Sequence, residues 1–242
     1  MFNTRSVLNC IPDLLGVWGM AETQEMALYG FWRSSATYRV RVALALKNAT
    51  AHEHIVNLEA GDQNSQDFRA INPHGAVPAL ILPGQAPLTQ SMAILEFLDE
   101  TLPGPALLPQ NAFARARVRA IAGSLAADTH PLLVPRIKHH LMTAGQFDDA
   151  MWRAWQIQWL TTGLSTLETR LASESETGLF CHGDSITLAD LCLMSIVIIT
   201  RVFKITIHAI PTIDAIVQRC DAHPAFIRAN PFQQPGAPPA LG

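Results

Sequence analysis

An α/β unit joined to an all-helical unit is the fold class this sequence predicts, and three observations carry it. Two apolar runs with helical spacing each open on serine, at Ser34-Ser35 and at Gln90-Ser91. Between them lie strand-like stretches at His52–Leu58 and Ala79–Leu82 and an X-Pro turn at Val77-Pro78. After Pro103-Gly104-Pro105 the short, turn-punctuated strands stop and only long helical patterns follow.

The segment before Met26 stands apart. Val7–Met20 is weakly apolar but broken by Asn9, Pro12 and Asp13, with Arg5 as its nearby positive charge, which makes a poor signal peptide. Residues 1–25 are expected to be an extension, disordered or upstream of a natural start at Met26.

Ala27-Leu28-Tyr29 reads as a strand, Phe31 to Ser34 as an exposed loop, and the residues from Ser35 to Lys47 as a helix with Tyr38, Val42 and Leu46 four apart on one face. Ser34 or Ser35 can cap it by accepting a free backbone N–H. The hydroxyls then sit at the positive end of the helix dipole, where an anion such as a thiolate is favoured. Capping alone also accounts for serine here, so the two uses stay open at this point.

His52–Leu58 is the second strand, Gly61-Asp62-Gln63 opens a polar loop, and Ser65–Ala70 is a short helix, completing a β-α-β unit whose right-handed crossover places helix starts along one edge. Ala79–Leu82 and Pro87–Thr89 flank the turn Pro83–Ala86 as a hairpin, and a helix runs from Gln90-Ser91 to Glu100. At its start Ser91 can offer a hydroxyl and an N–H to a carboxylate, or simply cap. The order β-α-β-α-β-β-α is the thioredoxin-like pattern. Disulfide chemistry on that fold needs a cysteine at the first helix start, where this chain has Ser34-Ser35-Ala36.

The boundaries expected are 26–102 for this unit, 103–110 for a linker, 111–235 for the helical unit and 236–242 for a tail. Asn111–Leu125 and Asp148–Leu171 read as long helices, the second with Trp152, Trp155 and Trp159 as a buried stripe. Thr187 and Asp190 form a capping box flanked by Ile186 and Leu191 as its staple, starting a core helix that runs to about Phe203.

Bulk properties narrow the function. With 242 residues, 49% hydrophobic and 15% charged, the chain is globular; its net charge of −3 and lack of a basic stripe argue against nucleic acid. The longest apolar run, Leu191–Thr200, is half of what a membrane span needs. Cys10, Cys181, Cys192 and Cys220 are scattered, with neither C-x-x-C nor zinc-ligand spacing, and His52-x-His54 and His139-His140 arrive without a third ligand; no metal site is expected, and a reduced, cytoplasmic protein is the simplest reading.

Arg33-Ser34-Ser35-Ala36-x-x-Arg39-Val40-Arg41-Val42-Ala43-Leu44, Asn72-Pro73-His74-Gly75-Ala76-Val77-Pro78 and Leu88-Thr89-Gln90-Ser91-Met92-Ala93-Ile94, in this order and spacing, resemble zeta-class glutathione transferases, the family of maleylacetoacetate and maleylpyruvate isomerases. The resemblance implies glutathione as cofactor, held by Ser34, Ser35, Ala36, Arg39, Gln63, Val77, Gln90, Ser91 and His130, with Pro78 in cis and the γ-glutamyl end at Ser91. It implies Ser34 and Ser35, with Arg33, as catalytic residues, the serines as hydrogen-bond donors to a thiolate rather than nucleophiles. A homodimer in which His130 completes the partner's site, and a place in aromatic amino acid catabolism, are also implied.

The implied reaction is cis–trans isomerisation of a small unsaturated diketo dicarboxylic acid, with thiolate addition making a single bond that rotates before the thiolate leaves. The chain departs from the family where Val134 and Pro135 replace polar residues and where Val202 stands for an arginine, which is found one place earlier as Arg201. One helical position is a 100° rotation, so Arg33 is the leading carboxylate-binding candidate and Arg201 the second. Two other classes remain: a transferase or dehalogenase acting on small electrophilic acids, and a non-catalytic glutathione-transferase-like binding domain.

Overall fold

The computed structural model describes residues 26–238; the expected extension over 1–25 and residues 239–242 of the expected tail lie outside them. Four strands form one mixed sheet in the order β2-β1-β3-β4, with β1 at Met26–Gly30, β2 at Ala51–Ile55, β3 at Ala79–Ile81 and β4 at Leu88–Thr89. β1 runs parallel to β2, with Leu28 opposite Glu53, and antiparallel to β3, with Leu28 opposite Leu80. Strand alternation puts fully buried Leu28 and Leu80 on one face, while Tyr29 on the other stacks on His54 and meets Phe68.

Helices α1 (Ser35–Leu46) and α3 (Ser91–Thr101) pack together, and α2 (Gln66–Ile71) carries Phe68 to the opposite face. The expected single buried stripe on α1 understates its burial: Tyr38 to Leu44 are all buried, because α3, α7 (Leu188–Val202) and α9 (Pro224–Arg228) cover it as well. β1 and α1 approach so closely that a Cβ on Gly30 would lie 2.4 Å from Thr37 Cγ2, which is why the strand ends on glycine.

The helical part comprises α4 (Ala112–Gly123), α5 (Pro135–Thr143), α6 (Asp149–Ser173), α7, α8 (Pro211–Ala222) and α9. Instead of ending near Leu125, α4 widens into a π-helical turn over Ser124–Thr129 and tightens into a 3-10 turn over His130–Leu133. There α6 crosses so near that a Cβ on Gly163 would be 2.5 Å from Thr129 Oγ1. The tryptophan stripe splits its duties. Trp152 is buried, while Trp155 donates its indole N–H to Leu132 O at 2.8 Å and meets Trp159 edge-on.

One polar relay ties the two parts together, and two further sets of buried bonds hold the helical part itself. Asp99 on α3 accepts from Lys47 Nζ and from the N–H of Leu107, both at 2.8 Å, while Leu107 O accepts the N–H of Leu188 at the start of α7. The predicted capping box is formed: Asp190 accepts from Thr187 N at 2.8 Å, Thr187 Oγ1 at 2.9 Å and Cys181 N at 2.8 Å. Glu168 on α6 caps α8 from outside its own sequence, accepting the N–H of Thr212 and of Ile213 at 2.9 Å each.

Candidate active site

The loop from β1 into α1 is gripped from behind. Arg41 donates to the carbonyls of Phe31 and Trp32 at 3.5 and 3.2 Å and is held by Glu53 of β2 through bonds of 2.8 and 2.7 Å. Ser34 is the residue that caps α1: with extended φ and ψ of −69° and 116°, it accepts the N–H of Thr37 at 3.2 Å. A hydroxyl has one proton and two lone pairs, so an oxygen occupied as acceptor still has its proton to give. Ser35 is buried and Ala36 half-buried at the same helix start.

The second loop is the turn before β3. Asn72, buried, holds it by donating to Ala76 O at 2.6 Å and accepting the N–H of His74 at 3.2 Å. Val77-Pro78 is cis, as expected. The N–H and carbonyl of Val77 pair with no group among the described residues. Gln63 lies beside this turn, with its carbonyl 2.9 Å from where a Cβ on Gly75 would sit and its own buried Oε1 unpartnered.

The third element is the start of α3, which no side chain among the described residues caps. Gln90 occupies the N-cap position at φ 69°, a backbone conformation that is costly for a side chain larger than glycine, and supplies no side-chain bond. Ser91 follows, buried, and accepts from Arg39 Nη1 at 3.1 Å. Strained backbone and free N–H donors at a helix start are the features of an anion site.

Arg39 lies behind the start of α3 and joins it to α7. It is only 2% exposed; its Nε donates to Ser195 Oγ on α7 at 2.8 Å, and Ser195 in turn donates to Cys192 O at 2.7 Å. The sequence offered one signal of this: Arg39 is one of two arginines, with Arg41, set inside a largely apolar helix. Ser195 itself, 156 residues away, had no signal at all.

His130 lies in the 3-10 turn after α4, partly accessible yet surrounded by protein. Dehydration, then the charges of Arg39 and Arg136, push its imidazole down to about 3, so it is neutral at physiological pH. The proximity is to Arg39 of its own chain. Val134 is extended and Pro135 opens α5 without an N–H, so the polar residues expected there are replaced by a helix start, and Arg136 beyond them is exposed.

The two arginine candidates are not brought together. Arg33 pairs with Glu59 at 2.6 Å, lies 5.7 Å from the Phe31 ring and 5.5 Å from the Phe203 ring, and its buried Nε has no partner among the described residues. Arg201 is occupied by Asp221 through bonds of 2.8 and 2.6 Å, and faces a cavity of about 170 Å³ lined also by Tyr38, Ile198, Phe226 and Phe232, none of it drawn from residues 33–36. Burial pushes the Tyr38 phenol in that cavity above its ordinary value. The one-residue shift noted in the sequence therefore has a consequence: Arg201 turns to α8 rather than to the loop of Arg33.

Residues 24–100 match the family Glutathione S-transferase, N-terminal domain. A probable maleylacetoacetate isomerase of Vibrio cholerae is 38% identical over 214 residues, covering 88% of this chain and 98% of its own length. A maleylpyruvate isomerase of a Ralstonia species is 39% identical over 210 residues, covering 87% and 99%. Among solved structures, a maleylacetoacetate isomerase of Methylobacterium extorquens with bound malonate and GSH superposes with a TM-score of 0.86 at 48% identity, covering 88% of this chain and 99% of that one. With a thioredoxin-like unit and an all-helical unit in this arrangement, the chain belongs to the zeta-class glutathione transferases, the family of the maleylacetoacetate and maleylpyruvate isomerases.

Proposed function

We propose that this protein is a glutathione-dependent cis–trans isomerase of a small unsaturated diketo dicarboxylic acid of the maleylacetoacetate or maleylpyruvate type. The observation that carries the reading is the uncommitted proton of Ser34 at the positive end of α1. The residues fit the tripeptide: an uncapped α3 start and Ser91 suit its γ-glutamyl carboxylate, and the unpaired N–H and carbonyl of Val77 suit strand-like pairing with its backbone. When bound, glutathione supplies a thiolate that adds to the double bond and leaves again, permitting rotation between.

The protein's part is to hold and polarise. Ser34 donates to the sulfur and the α1 dipole favours its charge; a free thiol has a pKa of about 8.5, so each unit of lowering raises the thiolate fraction up to about tenfold near neutrality. Arg33, braced between two rings, meets a substrate carboxylate by exchanging Glu59 for it. Neutral His130 serves as a hydrogen-bond partner and not as a charge. The bound malonate and GSH of the Methylobacterium relative support a dicarboxylate beside glutathione.

In the same proposal the glutathione-binding unit spans 26–102, the linker 103–110 and the helical unit 111–235, in a cytoplasmic homodimer serving aromatic amino acid catabolism. Phe113 at 79% exposure, on the side of α4 that also bears exposed Ala116 and Ala120, supports a subunit contact there, and a monomeric mass at micromolar concentration would contradict it. Incubation with glutathione and candidate cis acids, followed by mass spectrometry and chromatography, tests the reaction. Formation of the trans acid with glutathione undiminished is expected. Consumption of glutathione would instead establish a transferase or dehalogenase, and no binding at millimolar glutathione a non-catalytic domain.

A further inference from the structure

Four cations are buried among the described residues, and three meet a carboxylate: Arg41 meets Glu53, Lys47 meets Asp99 and Arg117 meets Glu174. Arg39 meets none. Its partners are two neutral hydroxyls, Ser91 Oγ and Ser195 Oγ, and its buried Nη2 has no partner among the described residues. Guanidinium stays charged in proteins, and an unbalanced charge in an interior is expensive, so its retention calls for a compensating anion.

The bonding geometry says where that anion goes. Arg39 has only protons to give, so the 3.1 Å contact fixes Ser91 Oγ as an acceptor on its inner side. No acceptor among the described residues takes the Ser91 proton, and the α3 start around it is uncapped. We infer that Arg39 is a positioning residue for the anion subsite: it commits the Ser91 hydroxyl to donate outward, and its charge is balanced only when a ligand carboxylate occupies the start of α3. The inference rests on the glutathione reading and adds that the carboxylate's recognition is driven by a buried cation it never touches. Ser195 anchors the same guanidinium to α7, so the helical unit holds the switch of hydrogen-bond polarity in place.

Calorimetric titration with two probes tests this: glutathione, and the tripeptide in which 4-aminobutyrate replaces the γ-glutamyl residue, lacking only the α-carboxylate. Wild type is expected to prefer glutathione, and Arg39→Met to reduce that preference by about ten- to a hundredfold, the range of one charge-assisted hydrogen bond. Its melting temperature is expected to hold or rise, since an apolar side chain removes an unbalanced charge; a merely structural arginine would lose stability and affinity for both probes alike. Arg39→Lys, too short to serve both serines, should lose part of the preference. A preference unchanged in Arg39→Met overturns the inference while leaving the glutathione reading intact; if Arg39→Met does not fold, an unchanged preference in Arg39→Lys does the same. Failure of wild type to bind glutathione at all would overturn the function reading instead.

Discussion

Ser34 Oγ accepts the backbone N–H of Thr37 at 3.2 Å, so one hydroxyl closes the first turn of α1 and still has its proton to give. These two duties separate by mutation. Ser34→Ala should cost about 1 kcal/mol of stability as a lost cap and, as a lost oxyanion-type donor, about 10²-fold or more in kcat. Ser34→Gly should recover most of the stability, because glycine is tolerated at this position, and none of the turnover. Ser35→Ala, at a residue only 4% exposed, should slow turnover less than Ser34→Ala. Wild-type kinetics in both Ser34 variants would remove Ser34 from the mechanism.

Arg33 and Glu59 form an exposed-side pair, Glu59 being 58% exposed, and such pairs contribute about 0–1 kcal/mol. Glu59 is thus a weak competitor for the guanidinium. Steady-state kinetics should show Glu59→Gln lowering the KM for the acid substrate a few-fold. Arg33→Ala should raise that KM strongly with glutathione affinity nearly intact, and Arg33→Lys should rescue in part because lysine keeps the charge without the planar fork. If Arg33→Ala leaves the acid KM unchanged and Arg201→Ala abolishes activity, the carboxylate site belongs to α7.

His130 links the site to acid stability. Its folded pKa lies below its unfolded one, about 3 against the usual 6.5, so below 6.5 the unfolded chain binds the extra proton. The native state is therefore penalised progressively as pH falls from about 6.5 toward 3, and the penalty is absent above that window. Denaturation midpoints across this range should fall less steeply in His130→Gln than in wild type. Parallel curves would show that His130 is not held neutral. The pH–rate profile near neutrality should carry no ionisation from it.

Asp190 stands for the fold rather than the chemistry. Asp190→Ala strands three buried donors, on Cys181 and twice on Thr187, and should destabilise by about 3 kcal/mol or more in chemical denaturation. Enzyme that survives should keep its KM values.

What the sequence reveals here follows the range of the interaction. The Ser34 cap, the Thr187/Asp190 box and the β3–β4 hairpin are settled within a few residues, so local chemistry announces them. The π-helical turn at Ser124–Thr129 does not announce itself, since it depends on how closely α6 crosses at Gly163. Nor do α5, α8 and α9 stand out: α8 opens without a cap of its own, and the one it uses, Glu168, is on another helix. At the site, positions of the two serines were readable from helix starts, while the pairings of Arg33 with Glu59 and of Arg39 with Ser195 were not, because a guanidinium's partner is chosen by the assembled surface. Arg201 shows the same limit from the other side: its shift along α7 was visible, and its capture by Asp221 was not.

The most direct test of the account is a spectroscopic titration of the thiol of glutathione bound to wild type and to Ser34→Ala, following thiolate absorbance against pH. The account predicts a bound thiol well below the free value of about 8.5 in wild type and a return toward that value in Ser34→Ala. An identical titration curve for the two proteins would contradict it.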